Sequence, residues 1–144
     1  MASHVSRRWA WRALLVLVLI VGVITFWPTP VDRPVSGVLS AVLRSLHEAG
    51  LPQWIGYSAV ESAANVVMFV PLGALIAVIA VPALWWSSGV LGLLASLMIE
   101  FGQMLLLPER FASPLDLATN TAGALLGGGI VAIARLMRAR RAVD

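Results

Sequence analysis

Three pairs of polar residues interrupt the apolar stretches of this sequence, and one arginine lies near them in the chain. The pairs and the arginine are Glu61 with Asn65, Glu100 with Gln103, Asp116 with Asn120, and Arg110. Carboxyl groups can exchange protons with a substrate, and a guanidinium binds phosphate through paired hydrogen bonds. Glu100 and Asp116 are therefore candidate catalytic residues, and Arg110 is a candidate substrate-binding contact for an anionic group.

An amide side chain accompanies the carboxylate in each pair, which indicates a binding role. Asn65, Gln103 and Asn120 lie three or four positions from a carboxylate, so each pair shares one face of a helix. Because an amide both donates and accepts hydrogen bonds, we expect these three residues to orient a polar substrate. His4 and His47 lie far apart and cysteine is absent, so no metal site and no cofactor are expected.

The composition places these polar groups in a membrane protein. The 144 residues are 60% hydrophobic and 12% charged, with a mean hydropathy of +0.91. Soluble domains have about 45–50% apolar and about 25% charged residues, and a chain this short cannot bury so much apolar surface by itself. The basic residues are all arginines and form no stripe interleaved with aromatics, so a nucleic-acid partner is excluded.

Stretches without charged residues are long enough for four transmembrane helices. A bilayer core of about 30 Å requires about 20 apolar residues per helix. A break at Pro82 and Ser87 divides the longest stretch into a hairpin of two helices. The fold class is therefore predicted to be all-α and multi-pass, with transmembrane helices near Ala13–Trp27, Ser62–Val81, Gly89–Leu107 and Leu117–Ala134.

The distribution of arginines predicts the orientation of these helices. The loops 28–61 and 108–116 contain few arginines, whereas most arginines flank the first and last helices: Arg7, Arg8, Arg12, Arg135, Arg138, Arg140 and Arg141. By the positive-inside rule, both termini are cytoplasmic and the two loops face outward. All three polar pairs then lie in the outer half of the membrane.

The first helix has two possible interpretations. Ser6, Arg7 and Arg8 resemble the start of a twin-arginine signal, which would be removed after export. No cleavage site of small residues follows Trp27, however, so we expect the helix to be retained.

The segment between the first two transmembrane helices is predicted to contain a short amphipathic helix on the outer surface. Apolar residues at helical spacing occupy Val38–Leu46, a start is expected at Ser36 or Gly37, and Gly50 and Pro52 are expected to end the helix. The chain is thus divided into an N-terminal part with the first helix, an outer segment, a three-helix membrane core and a basic cytoplasmic tail, at residues 1–31, 32–60, 61–135 and 136–144.

The depth of the carboxylates limits what they can do. Glu100 lies about 10 Å inside the end of its helix, so its carboxyl group must be neutral, paired or in a water-filled pocket. Arg110 is the basic residue close enough in sequence to pair with it. Ser113 and Pro114 predict the start of the last helix, with Asp116 at its third position, so a role for Asp116 in capping alone stays open.

Small residues on the last predicted helix indicate close helix packing. Gly123 and Gly127 form a G-x-x-x-G face, which allows another helix to approach closely. We therefore expect contact with a second copy or a partner membrane protein through these glycines.

Three strings of the sequence resemble the VanZ-like membrane proteins. They are Asn65–Gly73 (N-V-V-M-F-V-P-L-G), Glu100–Gln103 (E-F-G-Q) and Arg110–Gly123, which contains Asp116 and Asn120 at the family's spacing. The resemblance covers about residues 60–135. In one departure, this chain has Ser113 where relatives often have Asp, so one carboxylate available to the family is missing here.

The resemblance implies a multi-pass protein of the bacterial cell membrane. The family's namesake confers resistance to the glycopeptide teicoplanin, whose target is a lipid-linked cell-wall precursor. The outward polar residues would then bind or modify a lipid-linked or polar head group, with membrane lipids or that precursor as partners. Whether a reaction is catalysed stays open.

Two other functions agree less well with the sequence. The same residues could connect helices in a non-enzymatic bundle that serves as a subunit or partner of another envelope protein. Transport requires a polar path to the inner side, where the helices offer only Ser87 and Ser88.

Overall fold

The computed structural model describes residues 2–27, 36–107 and 113–142, and these ranges contain helices and no strand. The five α-helices are α1 Ala2–Thr25, α2 Ser36–Glu48, α3 Tyr57–Ile79, α4 Ser87–Leu106 and α5 Pro114–Arg141, with one 3-10 turn at Pro82–Leu84. All but α2 are long and apolar enough to cross a membrane. The prediction of an all-α, multi-pass membrane protein with four transmembrane helices is confirmed.

Helix α3 lies at the centre of the bundle, and α5 packs along it over most of its length. The glycines of α5 permit this close approach, because a Cβ at Gly123 or Gly127 would collide with backbone carbonyls of α3. Next to this contact, Phe69 is completely buried together with Leu72 and Ala124. The close packing expected at the two glycines is thus made within the chain, and contact with a second chain there stays a prediction.

The α3–α4 hairpin is closed by a buried hydroxyl group. The break falls at the 3-10 turn, as predicted, and α4 begins at Ser87. Ser88 is completely buried and its Oγ donates a hydrogen bond to the Gly73 carbonyl of α3, at 3.0 Å. The hydroxyl group therefore satisfies its hydrogen-bonding capacity inside the bundle, and this contact fixes the start of α4 against α3.

Helix α2 has the limits expected from the sequence. It begins at Ser36, and Gly50 follows its end with a positive φ of 105°, a conformation that favours glycine. Leu51 N–H donates to the Leu46 carbonyl and Gly50 N–H to the His47 carbonyl, the paired bonds of a Schellman motif. Val38, Val42 and Leu46 of this helix are exposed, as in a helix at a membrane surface, whereas Leu43 is buried.

Three helix ends extend beyond the predicted limits. Helix α1 already begins at Ala2, α3 begins at Tyr57, and α5 continues to Arg141. The prediction was based on apolar length, which marks the part of a helix that lies in lipid. At α1 and α5 the helix continues past that boundary through arginine and alanine, which favour helix.

Candidate functional site

A cross-helix hydrogen bond joins the polar pairs of α3 and α5. Asn65 Nδ2 donates to Asp116 Oδ1 at 3.0 Å, and both residues are half-buried. Asn65 lies near the start of α3 and Asp116 near the start of α5, so the two helices enter the bundle side by side. The structure thus brings together one predicted binding residue and one predicted catalytic residue.

Glu100 contacts the same region from α4. Its Oε2 accepts a hydrogen bond from the Ser113 backbone N–H at 3.0 Å, and the residue is 8% exposed. The Ser113 side chain in turn accepts from the Asp116 N–H at 3.3 Å, which confirms Ser113 as the N-cap of α5. We refer to Asn65, Glu100, Ser113 and Asp116 as the polar patch.

The capping arrangement explains why two carboxylates occur here. In an ordinary capping box, the third residue of the helix accepts from the N-cap backbone N–H. Here Glu100 of α4 accepts that N–H, so the Asp116 carboxylate faces Asn65 instead. Capping alone therefore does not account for the Asp116 side chain.

Gln103 has a partner outside the polar patch. Its Nε2 donates to the Thr25 carbonyl at the end of α1, at 2.8 Å. At the preceding residue, Gly102, an added Cβ would lie 2.6 Å from the ring of Phe26, which directly follows α1. The end of α1 and α4 are therefore in close contact there. Gln103 was predicted to bind substrate, and its observed contact joins α1 to α4.

Asn120 lies one turn deeper than the polar patch and is 5% exposed. Its Nδ2 donates to Ser96 Oγ of α4 at 2.9 Å, and Ser96 is completely buried. In the part of the chain that the structure describes, Asn120 Oδ1 has no hydrogen-bond partner. Sequence reasoning missed Ser96, although its position four residues before Glu100 places both on one face of α4.

Arg110 and Glu61 were also expected near the polar side chains of the site. Arg110 lies outside the described residues, so its pairing with Glu100 and its contact with an anion stay predictions. Glu61 is exposed on α3, one turn before Asn65, and places a further carboxyl group at this end of the bundle. Within the described ranges, no group of three His, Asp or Glu side chains lies close enough to hold a metal ion.

The polar patch presents acceptors that the described part of the protein leaves open. Asp116 Oδ2 and Asn65 Oδ1 accept no hydrogen bond from any described residue. Their other atoms are fixed by the α3–α5 contact, so the two acceptors are held in place before a ligand arrives. Such a site suits a ligand that carries several hydroxyl or amine donors.

The buried pair of Asn120 and Ser96 is expected to stabilise the bundle by a small amount. Interhelical hydrogen bonds in membranes contribute about 0.6 kcal/mol on average, with a maximum of about 1.7. Ser96→Ala, Asn120→Ala and the double variant form a cycle, and thermal unfolding in detergent should give a coupling energy in this range. A coupling energy near zero would mean that this hydrogen bond contributes nothing to stability.

Comparison with known proteins identifies a family that the chain resembles over most of its length. A family model described as VanZ/LLP1 matches residues 13–135, a range that begins within α1, includes all of α2, α3 and α4, and ends within α5. No curated protein is significantly similar to the chain, and no solved structure is.

Proposed function

The chain belongs to the VanZ/LLP1 family, and from that premise we propose that it is a bacterial cell-envelope protein that binds a lipid-linked head group. The polar patch is the proposed site, and the predicted orientation places it at the outer side of the membrane. The observation that carries the proposal is the cross-helix bond from Asn65 to Asp116, beside which one acceptor atom of each residue receives no hydrogen bond from the described residues.

The chemistry of the patch favours a head group with many donors. The open acceptors can receive hydrogen bonds from sugar hydroxyls or amines, and Arg110 is proposed to contact a phosphate. A lipid-linked sugar phosphate carries both kinds of group. The same ligand class would connect this chain to teicoplanin resistance, because that antibiotic acts on a lipid-linked precursor.

The surroundings of the patch allow a lipid-linked ligand to enter from the bilayer. Phe101 follows Glu100 and is 59% exposed, and Leu115 precedes Asp116 and is 49% exposed. Both face outward from the bundle, where a lipid chain would lie. A head group attached to such a chain can therefore reach the patch from the membrane side.

Modification of the ligand is the catalytic form of this proposal. Glu100 and Asp116 would act as proton donor and acceptor, since both carboxylates border the same helix start at Ser113. Binding requires only the arrangement described above, whereas catalysis requires in addition that a carboxylate reaches the reacting atom. Binding is therefore the part of the proposal to test first.

A non-enzymatic partner role is the second candidate. It is favoured by Gln103 and Asn120, whose amides are both engaged with neighbouring helices. In that case the polar side chains hold the helices together, and the function belongs to another envelope protein that contacts this bundle.

Transport is disfavoured by the packing of α4 against α5. Gly92 of α4 contacts Ala124 of α5 at a position between Ser88 and Ser96, the two buried serines of α4. The two hydroxyl groups therefore do not form a continuous polar path.

Substitution of Asp116 separates binding from helix contact. Asp116→Asn keeps an oxygen for the Asn65 amide but loses the charge and one acceptor. Because a hydrogen bond to a charged group contributes about 1.5–3 kcal/mol, we expect head-group binding to weaken about tenfold or more. The measurement is teicoplanin susceptibility of a host that expresses each variant, with membrane abundance determined in parallel. Glu48→Gln, at an exposed carboxylate of α2, is the matched control.

The outcomes distinguish the two candidates. Protection by the wild type and by the control, and its loss in a well-expressed Asp116→Asn variant, would support head-group binding. Protection that falls only in step with abundance would support the structural role. A wild type that gives no protection would contradict the connection with teicoplanin.

A further inference from the structure

An apolar groove of about 490 Å³ lies between α1 and α3, away from the polar patch. Its wall on α1 extends from Trp9 to Ile20, and Pro71 and Leu75 of α3 form part of the opposite wall. The volume falls within the range of roughly 300–1,000 Å³ that is typical of small-molecule sites. The groove is open along its length to the surrounding lipid, so a flexible apolar chain can enter it from the side.

The length of the groove corresponds to one leaflet of a bilayer. Trp9 and Ile20 are eleven positions apart, about 16 Å along the helix axis at about 1.5 Å per residue. This is about half of a hydrocarbon core of roughly 30 Å. One acyl chain that extends from the membrane surface to the midplane would therefore occupy the groove.

One end of the groove is positively charged. Arg12 lines it, and its guanidinium lies over the Trp9 ring at 5.1 Å from the centroid. Among the described residues, no carboxylate is paired with Arg12. Tryptophan and arginine are typical of the boundary between lipid tails and head groups, and a guanidinium binds phosphate oxygens in pairs.

We propose that this groove binds an anionic phospholipid, with one acyl chain between α1 and α3 and the phosphate on Arg12. The lipid belongs to the leaflet on the side of the α1 N-terminus, which the orientation predicted from the arginines places at the cytoplasm. This site is independent of the head-group site proposed above, because it lies at the other end of α3. Exposed Arg7 and Arg8 add positive charge beside it.

Native mass spectrometry of the full chain, released from detergent with added lipid, tests the proposal. Phosphatidylglycerol and phosphatidylcholine with the same acyl chains are compared. The wild type is expected to retain phosphatidylglycerol about fivefold better, the factor expected for one arginine at an anionic surface. Arg12→Gln should remove this preference, and Arg8→Gln, outside the groove, should keep most of it.

A second pair of variants tests the apolar part of the site. Ala13 lines the groove, and Ala13→Phe should fill it and lower the retention of both lipids. Leu15→Phe, on an exposed position of α1 outside the groove, should leave retention unchanged. Circular dichroism of each variant verifies that the helices are formed.

Three results would overturn the proposal. The first is equal retention of the two lipids by the wild type. The second is normal retention by a folded Ala13→Phe variant. The third is displacement of the lipid by inorganic phosphate alone, which would identify a site for a free anion instead of a phospholipid.

Discussion

Replacement of Gly127 by alanine should lower the free energy of unfolding by about 1–3 kcal/mol or more, the usual range for overpacking a core. A Cβ at this position would collide with the Val70 carbonyl and would lie 2.7 Å from Ala74 N. Both are backbone atoms of α3, so no side chain can rotate away, and the helices themselves must separate. Thermal unfolding in detergent, followed by circular dichroism, measures the loss.

A glycine in open surroundings provides the control for this experiment. Gly22 lies in α1 with no atom within 4 Å of an added Cβ. Because alanine favours helix over glycine by roughly 0.5–1 kcal/mol, Gly22→Ala should melt at the same temperature as the wild type or slightly higher. If Gly127→Ala melted at the same temperature as the wild type, the close packing of α3 and α5 described here would be contradicted.

Truncation of Phe69 is the second substitution with a large expected effect. The side chain is fully buried, against Leu72 and Ala124, and it lies beside the backbone of Gly123. Phe69→Ala would remove the whole phenyl ring, which packs between α3 and α5. Burial of this kind contributes about 3–5 kcal/mol, so we expect a loss of at least about 3 kcal/mol.

The same helix supplies a control for Phe69→Ala. Val67 is 69% exposed on the lipid-facing side of α3, and Val67→Ala should change the melting temperature little. Both variants are measured by thermal unfolding and by abundance in the membrane. Equal melting of the two variants would mean that the Phe69 ring does not pack as described.

Features determined by neighbouring residues were predictable from the sequence. Apolar length predicted four spans, Pro82 and Ser87 predicted the hairpin break, and Gly50 predicted the end of α2. Each depends on a few adjacent residues whose conformational preferences are strong. Ser113 belongs to the same group, because the pattern Ser-Pro-x-Asp identifies a helix start without tertiary information.

The partners of the polar side chains were less predictable. Ser96 lies in an apolar run and resembles any small packing residue until the position of Asn120 is known. Likewise, the Gln103 amide donates to the carbonyl of Thr25, a backbone group that every residue has and no sequence pattern marks. Such contacts depend on which helices are neighbours and on their rotation, and these properties follow from the packing of the whole bundle.

The glycines of α5 also bear on how the protein is made. Of the four membrane-spanning helices, α5 has the least apolar span, and glycine contributes little to transfer into lipid. The glycines that let α5 lie against α3 thus weaken the tendency of α5 to move from the translocon into the lipid. Because α3 is synthesised first, it can offer α5 a surface at Val70 and Ala74 during insertion. We expect biogenesis to depend on this order, with α5 entering the bilayer as a partner of α3.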